Sequence, residues 1–528
     1  MITRIRALLV LTSVALSFPS VSLAQELEFE RKGQADTVRE YRSSSPEHYG
    51  HQAPPEMDES ASPTEYDATG FKPDPVYTAP YDPEEQLVVY GGKTAIDEPR
   101  PLIEWGYPMY SEGDFGSGIN LVGAKNLVRP QFLVYGDWRT VLAANDNGDA
   151  ENAQLASQLN LEFDLNLTAT ERLHMFVKPL DDGGKQTRLE LGGTPVDDID
   201  GNGFQAELDF DPETFFFEGD WGYIQSGLTD KYTTFDLPFA VGLLPLFLQN
   251  GLWVNDAFVG GAVTAQAKNS PKFDITNFDT TFFVGTNKVT TPVFITDGVI
   301  DDNAGKFYAL TTFVDVAEGY LEAGYARVTD DRDDFQMDYN NVMLAWTKRY
   351  GGKISNSVRL LANFGQDPVP GLNQTADGYA LLVENSWITH LPSTLVPYFN
   401  FFYGKDNPQP LATGAAGILK NTGVNFETDG ITGFPKLDDT ANDTYGGAVG
   451  VMYLFSLNQQ LILEYANVQI MGDENDALRN APGDQQAIGV RFQKPISRRW
   501  IFRTDGIYGE RKNQEEISGV RVELRMKF

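Results

Sequence analysis

The chain has 528 residues, a formal net charge of −33, 50 glycines, 34 phenylalanines, 23 tyrosines and no cysteine. Phosphate binding needs a basic surface, so this acidity argues against nucleic acid as a partner. Without cysteine there is no disulfide support, and burial and hydrogen bonding must supply the stability.

The first element is a leader over residues 1–24. Arg4 and Arg6 precede an apolar run from Ala7 to Phe18, then small residues ending Ser22-Leu23-Ala24. This is the pattern of a secretory signal peptide cut between Ala24 and Gln25. The run is too short to cross a bilayer as a helix. Its removal takes away two arginines and no acid, which brings the chain to −35. Beyond it the best apolar run, Leu237 to Val254, is broken by Pro238, Gly242, Pro245 and Gly251. An exported chain of this kind is periplasmic, secreted, or a membrane barrel.

Residues 25–101 are rich in Pro, Glu, Asp, Ser and Tyr, with little periodicity. Such a stretch buries too little apolar surface to offset its ordering entropy and is expected to be disordered. Its other readings are a tether to a periplasmic partner or a plug for a lumen, with Val88 to Gly91 as a short strand. Residues 102–127 connect it to the rest.

From residue 128 to the end the grammar is that of strands. Leu155, Leu159, Leu161, Phe163, Leu165 and Leu167 share one face; Gln158, Asn160, Glu162, Asp164 and Asn166 take the other. Residues 168–172 form a turn. Phe204, Ala206, Leu208 and Phe210 alternate with Gln205, Glu207 and Asp209. Just before them, Asp198, Asp200, Asn202, Gly203 and Asp209 occupy positions 1, 3, 5, 6 and 12 of an EF-hand calcium loop. Position 12 is Asp rather than Glu and the flanks read as strands. A hairpin turn of Asp, Asn and Gly explains the same residues.

The run from Asp236 to Trp253 departs from alternation. It reads either as a lipid-facing hairpin or as an element folded into a lumen as a constriction. Alternation then resumes in Val342/Leu344/Trp346, Val358/Leu360/Ala362/Phe364, Leu395/Phe399/Phe401/Tyr403 and Ile488/Val490/Phe492. About 16 to 18 such segments fit the length of tilted membrane strands, with short connections alternating with longer Asp/Asn/Gly-rich ones. A soluble sandwich or propeller also uses alternating strands, but its strands are usually shorter and no repeat of blade length is present.

The last strand carries the sharpest signal. Val520, Val522, Leu524, Met526 and Phe528 are apolar, whereas Arg521, Glu523, Arg525 and Lys527 are charged. A strand ending on an exposed aromatic suits lipid on one face and a wet lumen on the other. On these residues the chain resembles Gram-negative outer-membrane β-barrel proteins of porin-like type, without a subfamily. The resemblance implies an all-β transmembrane antiparallel barrel, with Phe528 as the assembly signal read by the barrel-assembly machinery. It also implies contact with outer-membrane lipid and lipopolysaccharide, a periplasmic N-terminal segment, and the homotrimer common among porins.

If apolar faces meet lipid, then Arg349, Arg359, Arg491, Arg503, Arg521 and Arg525 point inward with Glu384, Asp505 and Glu523. They either line a pore and set charge selectivity or pair and rigidify a filled barrel. Catalytic motifs are scarce. His48 and His51 sit in the acidic segment, His174 and His390 near strand ends. Ser386 and His390, four apart along an extended chain, are roughly 13 Å apart, too far for a nucleophile–base pair. The expectation is a channel for passive diffusion of small solutes. The alternative is a non-channel barrel whose acidic tail binds a periplasmic partner.

Overall fold

A computed structural model describes residues 99–106, 118–193, 203–296, 299–332, 334–414, 417–428, 430–456, 459–474, 476 and 479–528. The leader, residues 25–98 of the acidic segment, and Asp198, Asp200 and Asn202 of the calcium-loop spacing lie outside the described residues.

Eighteen strands make up the wall. They are β1 Gln131–Asp146, β2 Glu151–Asn166, β3 Arg172–Val177, β4 Pro212–Asp220, β5 Pro238–Leu248, β6 Val254–Ser270, β7 Ile275–Asn287, β8 Gly305–Val316 and β9 Gly319–Asp330. The second half comprises β10 Tyr339–Tyr350, β11 Ile354–Phe364, β12 Asp377–Trp387, β13 Leu395–Asn407, β14 Thr444–Ser456, β15 Gln459–Ile470, β16 Gln485–Pro495, β17 Trp500–Arg511 and β18 Ile517–Lys527. Each pairs antiparallel with the next, and β18 pairs back onto β1 from Asp137↔Lys527 to Asp146↔Ser518. The ring thus closes on itself, the condition for a sheet to sit in lipid; only beyond Phe215↔Leu243 and Asn287↔Val259 do β4 and β7 lack a partner from β5 and β6. The strand count falls at the upper end of the range expected from sequence.

Short connections gather at one end. Ala317 and Glu318, both at positive φ, make the two-residue turn from β8 to β9, and Gly351-Gly352 turn β10 into β11. Two left-handed residues match the twist of paired strands. Residues 288–304, 365–376, 408–443 and 471–484 form the longer loops of the other end. At the short-turn end an α-helix, α1 Trp221–Thr229, joins β4 to β5, capped by Asp220, which accepts the Tyr223 N–H at 3.1 Å.

Outside, alternation places Leu310, Leu344, Leu360, Phe399, Val449, Leu463, Ile488 and Leu524 on the exposed surface. Two aromatic belts bound this band. Tyr308, Tyr325, Tyr379, Tyr445, Tyr465 and Tyr508 stand exposed toward the long-loop end, and Trp138, Tyr350, Trp387, Tyr453 and Trp500 toward the short-turn end. Such girdles sit where an apolar wall meets the two lipid–water interfaces.

Two expectations need correction. Phe528 is not exposed: its ring is 9 % accessible, and its backbone exchanges hydrogen bonds with Gly136 of β1. It closes the seam. The alternating run Phe204 to Phe210 is a strand only at Phe204–Gln205. Phe204–Gln205 pairs antiparallel with Arg188–Leu189 of the strand Lys185–Gly193, which itself pairs with the 152–157 end of β2, and residues 206–210 continue without a ladder.

Candidate functional site: a lumen crossed by a hairpin and a loop

β5 and β6 start as wall strands and do not stay in the wall. β4 pairs with β5 only as far as Phe215↔Leu243, and β7 pairs with β6 only as far as Asn287↔Val259. Past that height residues 244–248 and 254–258 pair with each other and have no neighbour in the wall. The departure point is the cross-strand pair Gly242↔Gly260. Gly242 has φ +135°, and a Cβ there would stand 2.4 Å from the Phe215 carbonyl oxygen. A Cβ on Gly260 would stand 1.9 Å from the Val284 oxygen, beside a register shift between Val259 and Gly260. Glycine and a bulge are what let a strand bend.

The hairpin tip lies against the opposite inner surface. Gln249 hydrogen-bonds Glu322 of β9, and the Trp253 indole N–H donates to Asn341 Oδ1 of β10 at 2.7 Å. The fully buried Trp253 ring occupies the space over Gly324 and meets Phe283 edge-on, centroids 5.8 Å apart. Phe258, Phe283 and Phe307 continue this cluster. The run Asp236 to Trp253 therefore does both things considered for it. Its first half is lipid-facing wall, with Val241 52 % exposed, and its second half is an inward constriction.

The second inward element is the connection 408–443 between β13 and β14. Asn341 and Asn363, on β10 and β11, both donate to the Gln409 carbonyl at 3.0 Å. Ala412–Thr413 then pairs parallel with Val254–Asn255 of the hairpin. Further on, Glu464 of β15 accepts the Val424 and Asn425 N–H groups at 3.1 and 2.9 Å, and the Tyr398 hydroxyl at 2.5 Å. Finally Asn145 of β1 and Gln154 of β2 donate to the Thr432 carbonyl at 2.8 and 2.9 Å. β10 and β1 are nine places apart in a ring of eighteen, so the loop crosses the full width of the barrel.

Where the loop meets β16, β17, β18 and β1, the inner wall is charged. Asp505 receives Arg491 Nε at 2.6 Å and both Arg503 Nε and Arg521 Nε at 2.8 Å. Arg139 grips Glu523 with Nε and Nη2 at 2.8 and 2.9 Å, and Arg521 reaches the same carboxylate at 3.4 Å. The loop adds Glu427, 2.8 Å from Arg491 and 3.7 Å from Arg503. Phe434 lies under the Arg521 guanidinium, 5.6 Å from ring centroid to Cζ. Arg525 pairs with Asp137 at 2.5 Å, and across the lumen Arg359 pairs with Glu384. Bidentate and forked contacts of this kind fix geometry as well as charge.

Eight of the nine inward residues read from strand parity thus sit in ion pairs on the inner face: Arg359, Glu384, Arg491, Arg503, Asp505, Arg521, Glu523 and Arg525. Arg349 has the same parity but stands exposed at the short-turn rim. Sequence reading missed Arg139, which shares the inner face of β1 with Val141 and Ala143. The alternation there was available as a signal. It also missed Glu427, and no local pattern marks a loop residue that becomes part of a wall.

Outside the strands, burial first and then the neighbouring Asp439 push the Asp438 carboxyl up to about 6. Burial pulls the Lys420 ammonium below its ordinary value, and Lys436 adds to this. Asp209 caps the Asp211 N–H at 2.8 Å. His390 is exposed on the short connection after β12.

No protein-family model matches the sequence, and no curated protein matches it. Among solved structures, the outer membrane protein OpdK of Pseudomonas aeruginosa is similar at 10 % identity and TM-score 0.49, over 75 % of this chain and 98 % of that one. OccAB4 of Acinetobacter baumannii gives 10 % identity and TM-score 0.47 over 75 % and 98 % of the two chains. Wzi of Escherichia coli, described as a carbohydrate-binding barrel involved in group 1 capsule assembly, gives 11 % and 0.43 over 75 % and 84 %. On its own pairings, the closed ring of eighteen strands with two aromatic belts is a porin-like outer-membrane barrel.

Proposed function

We propose that the protein is an outer-membrane channel for small solutes, with its long loops outside the cell and its short turns and N-terminal segment on the periplasmic side. The observation that carries this reading is the inner wall of β16, β17, β18 and β1. Arg139, Arg491, Arg503, Arg521 and Arg525 there face the four carboxylates of Asp137, Glu427, Asp505 and Glu523. Charges of this density are tolerated in a wet lumen, whereas each would cost ~2–4 kcal/mol on the lipid face at mid-membrane. Arg491, Arg503 and Arg139 each keep about a sixth of their side-chain surface accessible, and Glu427 keeps 31 %.

The mechanism is size exclusion between hairpin and loop, combined with the field of the arginine wall. A solute passing the constriction loses part of its hydration and meets fixed, preoriented guanidiniums, which favours anions in the path. Reversal potential in a KCl gradient across a planar bilayer tests this. The expected sign is anion preference. Cation preference would contradict the arginine-lined path. Absence of any conductance after removal of residues 25–101 would leave the non-channel barrel as the better reading.

A further inference from the structure

A side cleft opens where β5 and β6 leave the wall. Its volume is about 770 Å³, within the ~300–1,000 Å³ usual for small-molecule sites. Its lining is unusual in parity. Leu243, Pro245 and Phe247 carry on the outward-facing series that begins with the lipid-facing Val241. Phe176 and Thr214, on the other side of the cleft, belong to the inner face of β3 and β4, in register with the inward series of Glu162 on β2. In a closed wall, outward residues of one strand and inward residues of its neighbours never border one space. They do here because the hairpin has stepped inside the ring. Among the described residues the wall therefore has a gap, and an apolar strip runs from the lipid-facing Val241 over Leu243, Pro245 and Phe247 into the cleft. Phe247 is 58 % exposed on that strip.

The other end of the cleft is polar. Asp256, Asp302 and Lys420 line it with Lys288, which stands exposed with no ion pair among the described residues, whereas Lys178 is held by Glu213 at 3.2 Å. We infer that this cleft is a lateral opening that takes a single-chain amphiphile with a carboxylate head, its hydrocarbon chain along Leu243, Pro245 and Phe247 and its head at Lys288. An apolar strip continuous with lipid admits a chain without exposing it to water. The unpaired ammonium supplies the complement for the head. The proposal does not depend on whether the axial path conducts.

Because the chain lacks cysteine, a single label can be placed at will. The test uses bimane on Phe247→Cys in phosphatidylcholine vesicles, with a stearate carrying a nitroxide near its chain end as quencher. Trp138→Cys, on the lipid-facing belt, is the reference. Quenching at position 247 is expected to saturate and to be reversed by unlabelled palmitate, while quenching at position 138 rises linearly with the quencher. Should the label at 247 perturb folding, Ala257→Cys, paired with Pro245 on the same face, replaces it. Leu243→Asp combined with Lys288→Glu is expected to weaken the palmitate competition at least tenfold, with barrel closure checked by heat-modifiable electrophoretic migration. Linear quenching at both positions, quenching at 247 by aqueous iodide alone, or an unchanged affinity in the double variant would overturn the proposal.

Discussion

The two sides of the lumen are filled by opposite means. On the β6 to β11 side Trp253, Phe258, Phe283, Phe307, Met343 and Leu361 form a packed apolar core inside the ring, with Glu322, Asn341, Arg359 and Asn363 as its polar neighbours. On the β16 to β1 side Asp505, Glu523 and five arginines form a lattice of ion pairs. The first side was closed by an apolar hairpin that could be buried only against apolar partners. The second meets the crossing loop, which docks on it through backbone carbonyls, Glu427, the Phe434 ring, and Ile431 packed against Val141 and Ala156. One barrel thus combines a dry anchor with a wall suited to water.

Two truncations set the sides against each other. Trp253→Ala removes the largest fully buried side chain among the described residues, leaves Asn341 Oδ1 without its donor, and is expected to lower unfolding stability by ~3–5 kcal/mol, read from urea titration in micelles. Arg521→Ala leaves Asp505 and Glu523 short of a buried partner, with an expected loss of ~3–5 kcal/mol. The double variant should be additive if the two sides are independent. Strong coupling would break the comparison.

Gly242→Val tests the hinge. With φ at +135° and the Phe215 oxygen in the way, it should cost ~1–3 kcal/mol and restore wall pairing or misplace the tip, seen as lost protection of the Trp253 indole N–H. The same substitution at Gly183, which has no neighbour within 4 Å, isolates the backbone contribution.

Next comes pH. The Asp438 carboxyl titrates at about 6 in the folded loop, above its ordinary 3.8. A raised folded pKa means that the stability is fully present below about pH 4 and is lost as pH rises through 6. Hydrogen-exchange protection factors of residues 430–443, corrected for the intrinsic rise of exchange with pH, should fall between about pH 4 and 6, a fall abolished in Asp438→Asn. At the small end, Arg349→Ala, an exposed rim residue, should change stability by less than ~0.5 kcal/mol.

How much of this was legible beforehand follows from the same contrast. The charged wall could be read from parity, because Arg521, Glu523 and Arg525 alternate with Val520, Val522 and Leu524, and a period of two assigns each a face. The apolar side could not. In β7 the inward Phe283 and the outward Phe282 are the same residue type, so alternation carries no information there. The inward hairpin left only a broken apolar run as its trace, and the pairing that stops at Leu243 and Val259 is a property of four strands together. The crossing loop is set by hydrogen bonds to strands nine places apart, which no local pattern encodes.

In the proposed channel, hairpin and loop constrict a charge-lined lumen. The decisive measurement is single-channel conductance of the full chain beside a variant with residues 417–439 replaced by a short glycine-serine turn. A small anion-preferring conductance is expected in the full chain and a several-fold larger one in the variant. Equal conductance in the two, or none in either, would contradict the proposed channel.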